Sequence, residues 1–250
     1  DGATIYVMSD VEMNQMAWVW EKELTITSYG VDPVTLSRGE NFHTNADPAR
    51  QHYNPAMIEV GGETEQGTVS SLILTHIILD DMGKYEGEYF VQADSEGDGE
   101  TTVSRSEVPN TSIVQDAIIA TYNGMGTITL GDGAELRNYG GMSAVRLSGG
   151  ELSMEEGSAI LDTTENEREK GASGSFGPAG AVWLQGGILT MNGGTIGGDK
   201  GVMMNGRALY ADGGTANIGG TIQNIHGTDA AWQGQNGVAV HLRAHGEATP

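Results

Sequence analysis

The chain has 250 residues, with 34 acidic against 12 basic side chains, a net charge of −22, 39 glycines and no cysteine. This composition excludes a disulfide framework, a thiolate metal site and a cysteine nucleophile, and so negative a surface is a poor match for nucleic-acid phosphates. No apolar run approaches the ~18 residues of a membrane-spanning helix.

Taken in chain order, the predicted elements are short strands. Ile5 and Val7, Leu24 and Ile26, and Val34 and Leu36 are apolar pairs at i, i+2, the period of a strand with one buried face. Val11 to Lys22 is the single helix candidate, and its Val11, Met13, Trp18 and Trp20 fit neither period. A polar insertion is predicted over 38–55. Its His43 and His52 lie too far apart for a helical zinc pair and read as surface-loop residues. The pairs resume at Ile58 and Val60, Leu72 and Leu74, and Ile77 and Leu79, with His76 at a predicted bend as a structural residue.

A second polar insertion is predicted over 84–110. It holds the tract Asp94-Ser95-Glu96-Gly97-Asp98-Gly99-Glu100. Acidic oxygens at alternate positions before a glycine resemble the first half of a calcium loop, which makes Asp94, Glu96, Asp98 and Glu100 calcium candidates. Arg105 stands at the twelfth position, where a bidentate Glu would be needed. A solvated acidic loop is the competing reading. No cofactor other than this calcium is implied.

After the pair Ile128 and Leu130, internal repeats become explicit. Four segments align without gaps: Ala144-Val145-Arg146-Leu147-Ser148-Gly149-Gly150, Ala181-Val182-Trp183-Leu184-Gln185-Gly186-Gly187, Ala208-Leu209-Tyr210-Ala211-Asp212-Gly213-Gly214 and Ala239-Val240-His241-Leu242-Arg243-Ala244-His245. The match extends from Leu152 and Met154 to Leu189 and Met191, then to Ala216 and Ile218. A third insertion, about 163–178, accounts for the one long spacing. Within each repeat apolar residues alternate as in a strand, and in the first three paired glycines follow, which turn the chain sharply because glycine accepts positive φ. Such a unit cannot bury its own apolar face, but stacked on its neighbours it can.

These residues carry a family resemblance. Thr4-Ile5-Tyr6-Val7-Met8-Ser9-Asp10, Leu24-Thr25-Ile26-Thr27-Ser28, Pro33-Val34-Thr35-Leu36-Ser37-Arg38-Gly39 and Gly126-Thr127-Ile128-Thr129-Leu130-Gly131-Asp132-Gly133-Ala134, with the Gly-Gly repeats, resemble the right-handed parallel β-helix domains of large bacterial adhesin-like surface proteins. The resemblance implies an all-β fold, a pectate-lyase-like solenoid of three-faced coils spanning 1–250 as one domain with projecting loops. It also implies a cell-surface location and membership of a longer polypeptide. Eight or nine coils are expected, making a rod about 40 Å long at the strand spacing of a sheet. Val145, Leu147, Leu152, Met154, Val182, Leu184, Leu189, Met191, Leu209, Ile218, Val240 and Leu242 are expected to face inward.

Two functional classes compete. The first is a non-catalytic adhesin-like domain that binds a host or environmental glycan or surface protein, or serves as a display stalk. The second is a carbohydrate-active enzyme, a polysaccharide lyase or glycoside hydrolase, on the same scaffold. A glycosidase needs two carboxyl groups about 5–9.5 Å apart, but the adjacent pairs Asp80-Asp81 and Glu155-Glu156 would point to opposite faces of a strand. The sequence lacks the Asn-Thr-Asp, Gly-His-Gly and Arg-Ile-Lys motifs of polygalacturonase-like hydrolases, and its four lysines are scattered. The adhesin-like reading is therefore preferred, with no catalytic residue assigned. Its ligand-binding candidates are Arg146, Trp183, Tyr210 and His241, the third position of the aligned repeats. Alternation sends this column outward as a ladder that either stabilises the sheet or docks a sugar ring or extended peptide.

Overall fold

The computed structural model describes residues 2–43, 56–61, 70–82, 90–94, 102–106, 117–121, 125–140, 143–163, 180–198, 207–223 and 239–242. Among them the strands wind in seven coils of three. The first coil is β1 (Ala3–Val7), β2 (Val11–Gln15) and β3 (Ala17–Val19), and the second is β4 (Glu23–Ser28), β5 (Val34–His43) and β6 (Ala56–Val60). The third opens with β7 (Ser70–Thr75) and β8 (Ile77–Asp80). An antiparallel hairpin of β9 (Phe90–Asp94) and β10 (Thr102–Ser106) precedes its last strand, β11 (Ala117–Thr121).

The fourth coil is β12 (Gly126–Leu130), β13 (Ala134–Arg137) and β14 (Ser143–Leu147). The fifth is β15 (Glu151–Met154), β16 (Ala159–Asp162) and β17 (Val182–Leu184), and the sixth is β18 (Ile188–Met191), β19 (Thr195–Gly198) and β20 (Leu209–Ala211). The last is β21 (Thr215–Ile218), β22 (Thr221–Ile222) and β23 (Val240–Leu242).

Corresponding strands of successive coils pair in parallel, so the described residues form three seven-stranded sheets. This is a right-handed parallel β-helix, the hand that parallel crossovers take. The described residues form seven coils, against an expected eight or nine. Six inter-coil steps give about 29 Å at the usual strand spacing. The helix candidate at Val11 to Lys22 is instead β2 and β3, joined at the buried Met16. The predicted insertion over 38–55 starts too early: residues 38–43 belong to β5. The one over 84–110 contains the β9–β10 hairpin, and 164–178 of the third lies outside the described residues.

Inward columns run unbroken through the stack. In the second sheet Val11, Leu36, Leu79, Leu136, Ile160, Ile196 and Ile222 lie in register. The register deduced for the four repeats is the observed one, with Val145, Val182, Leu209 and Val240 opposite one another. Nine of the twelve residues expected inside are buried. Ile218, Val240 and Leu242 are the exceptions, exposed because their coil is the last and no further described strand stacks upon it.

One end of the second sheet's interior is polar. Arg38 of β5 and Asp81, the residue after β8, form a buried ion pair. Arg38 also donates through Nη2 to the Ala117 carbonyl (3.3 Å), and the Gly140 N–H donates to Asp81 Oδ2 (2.6 Å). These bonds tie three coils at one corner. Removing a single partner would leave a buried charge uncompensated, at a cost of about 3–5 kcal/mol.

The connections are unevenly distributed. Passages from first to second sheet are short, His76 alone in the third coil and 131–133 in the fourth. Passages from the second to the third sheet include 44–55, 81–116, 163–181, 199–208 and 223–239. All the longest connections therefore leave and re-enter at one corner of the triangular section.

Candidate functional site

The outward column of the third sheet contains every ligand-binding candidate. Pairwise register places Trp18, Glu59, Ala120, Arg146, Trp183, Tyr210 and His241 on successive coils. Side chains of parallel strands in register stand one strand spacing apart on the same face, and here they stack. The Arg146 guanidinium lies 5.1 Å from the Trp183 ring centroid. Trp183 and Tyr210 are 6.4 Å apart at 33°, and Tyr210 and His241 are 5.2 Å apart at 59°. Arg207, just before β20, places its guanidinium 4.8 Å from the Tyr210 centroid. The four candidates are thus brought together as a ladder.

Burial departs from the expectation of an open strip. Arg146 and Trp183 are each only 7% exposed, and Met57, Ile118, Ala144, Ala181 and Ala208 on the same outward face are also buried. A parallel sheet closed on both faces carries near-continuous apolar strands, as β6 (Ala-Met-Ile-Glu-Val) and β11 (Ala-Ile-Ile-Ala-Thr) do. The sequence pattern missed this second closed face because alternation was read as one wet side and one dry. The ladder opens to solvent only at its ends: Trp18 is exposed at the first coil, and Tyr210 and His241 are half-buried at the sixth and seventh.

Electrostatics follow from that burial. Desolvation lowers the Arg146 pKa to about 10, partly opposed by the charge of Asp212, and Arg146 Nε donates to Gln185 Oε1 at 2.7 Å. Burial also lowers the pKa of Arg207. Glu59 is 3% exposed between the indole of Trp18 and the methyl of Ala120 in the column, and desolvation raises its pKa to about 7. Sequence reasoning did not find Glu59, Ala120 or Trp18 as members of this column. The coils that carry them are separated by insertions of different length, which hides the repeat.

The remaining candidates are dispersed. Asp94 ends β9 and pairs with Thr102, while Glu96, Asp98 and Glu100 lie outside the described residues. Among the described residues no group of three His, Cys, Asp or Glu side chains is arranged to hold a metal ion. His43 ends β5, and His52 lies outside the described residues. His76 sits at a corner with φ of 49°, backed by Gly133. Asp81 is fully buried against Arg38, whereas Asp80 accepts from Asn138 Nδ2 at 3.1 and 3.2 Å. Glu155 accepts from Asn192 Nδ2 at 2.9 Å.

The fold and ladder define the class, a β-helical solenoid with an aromatic and cationic stack on one sheet. Comparison adds no family to that class: no protein-family model, curated protein or solved structure matches the chain.

Proposed function

We propose that the chain is a non-catalytic, adhesin-like binding module of a cell-surface protein, with the β-helix as a rigid stalk. The supporting observation is the concentration of long connections at the corner between the second and third sheets. In repeat folds, insertions collected on one face commonly form the binding face, since a rigid scaffold positions loops that tolerate variation. Arg207, which stacks on Tyr210, belongs to one of these connections, so the open end of the ladder borders the same corner.

The ligand is a host or environmental glycan or a surface protein. Tyr210 and His241 offer planar, amphipathic area to a sugar ring or an extended peptide at low entropy cost. Arg207 adds a cation beside them on a chain whose net charge would repel polyanions elsewhere.

An array of glycans and host surface proteins tests this reading. The parent chain is expected to capture at least one class, and Tyr210→Ala combined with His241→Ala to lose at least tenfold in affinity while melting within a few degrees of the parent. Unchanged capture by that folded variant would remove the site. Steady release of products from the glycan panel would overturn the non-catalytic reading in favour of a carbohydrate-active enzyme.

A further inference from the structure

We infer, resting on the binding reading above and narrowing its ligand, that the side of the outer ladder at Trp183 is a carboxylate subsite and that the glycan bound there ends in a single acidic sugar. The indole N–H of Trp183 can only donate. It is buried, on a side chain 7% exposed, and meets no acceptor among the described residues. Buried donors are almost always paired, so an unmet one in a ladder that borders a binding corner calls for an acceptor from outside the chain.

The stack fixes where that acceptor sits. The Arg146 guanidinium lies over the indole at 5.1 Å, and the Tyr210 ring on the next coil is 6.4 Å away at 33°. These neighbours occupy the two faces of the indole, whereas its N–H lies in the ring plane. The donor therefore opens across the stack rather than along it.

Charge complementarity makes the acceptor an anion. Two guanidiniums flank the indole and phenol, Arg146 over Trp183 and Arg207 at 4.8 Å from the Tyr210 centroid. Burial lowers the pKa of both, and Asp212 is the acidic group that acts on Arg146. A desolvated guanidinium gains most from an ionised acceptor, because the pairing strengthens at low dielectric. A carboxylate fits this set, since its two oxygens accept from a planar guanidinium and an indole N–H at once. It must also be a solitary charge: a chain at −22 repels a polyanion along its length, while one carboxylate needs only the local cations. Tyr210 and Arg207 are half-buried, so the ligand enters from their side. Its sugar ring lies against the phenol, and its carboxylate reaches one coil back, a strand spacing of about 4.8 Å.

Immobilised oligosaccharides ending in sialic acid or glucuronic acid, each beside its carboxyl methyl ester, test the inference. The parent is expected to capture an acid at least tenfold more tightly than its ester, with the preference shrinking as salt rises. The acid preferred identifies the source of the carboxylate. Trp183→Phe keeps a ring in the ladder and removes the donor; it should abolish that preference and leave ester binding unchanged. In the parent, the Trp183 indole 15N–1H resonance should move with the acid and stay in place with the ester, a readout independent of how the variant folds. Equal capture of acid and ester, or an indole resonance that the acid leaves in place, would overturn the subsite while leaving the binding module standing. Preferential capture of a sulfated glycan or a peptide carboxylate would overturn it too. Capture of none of these glycans would overturn the subsite together with the glycan reading on which it rests.

Discussion

Glu59 shows how one residue can report on the closed outer face of the third sheet. Its carboxyl is held between an indole and a methyl in the column, and its pKa is raised to about 7 from an ordinary 4.5. The folded state therefore keeps a proton that the unfolded state releases. The stabilisation is fully present below about pH 4.5 and is lost as pH rises through 7. A shift of this size corresponds to roughly 3 kcal/mol. Thermal melts are expected to show stability falling between pH 5 and 8, with Glu59→Gln flattening a large part of that slope. Other carboxylates also add repulsion as they ionise, so the comparison between parent and variant is decisive. Parallel slopes would show that Glu59 does not titrate in a desolvated site. Glu59 was not legible in the sequence because a lone Glu in Ala-Met-Ile-Glu-Val looks like the wet position of an alternating strand. Arg38 was misread for a related reason: its charge placed it in an insertion, although the Asp81 that neutralises it is 43 residues away.

At the level of elements, the corners were the most legible feature and hold the coils in register. Gly150, Gly187 and Gly214 turn the chain from the third sheet to the first with φ of 74°, 78° and 77°. A Cβ at Gly187 would lie 2.7 Å from the carbonyl carbon of Gly149 in the preceding coil, so positive φ and close backbone approach both demand glycine there. Gly187→Ala is expected to cost at least about 2 kcal/mol in urea unfolding. Gly30→Ala serves as the control. Its Cβ would come no nearer than 3.9 Å to the Asp32 carbonyl oxygen, and its φ is not positive; the expected change is within about 0.5 kcal/mol. Equal losses from the two substitutions would count against the corner argument. These glycines recur at a fixed offset from the strands, which is why the register downstream of Ser143 could be read by alignment. Upstream, insertions between strands vary too much for such an alignment, so Trp18, Glu59 and Ala120 were not seen to share the column of Arg146.

At the scale of the whole molecule, stability is distributed along the coil axis. An interior coil is covered on both sides, and a terminal coil on one, so a solenoid behaves approximately as a row of nearest-neighbour interactions. The inward residues of the middle coils, among them Leu74, Leu130 and Leu152, are fully buried, whereas Ile5, Ile218 and Leu242 are exposed at the ends. The Arg38–Asp81 pair adds a tie across the second, third and fourth coils. Amide hydrogen exchange at low protein concentration is therefore expected to be slowest in β12, β14 and β15. It should quicken stepwise towards β1 at one end and β23 at the other, by at least a hundredfold between centre and ends, because terminal coils open without unfolding the rest. Uniform protection along the stack would show that the seven coils unfold as one unit and would refute the nearest-neighbour description.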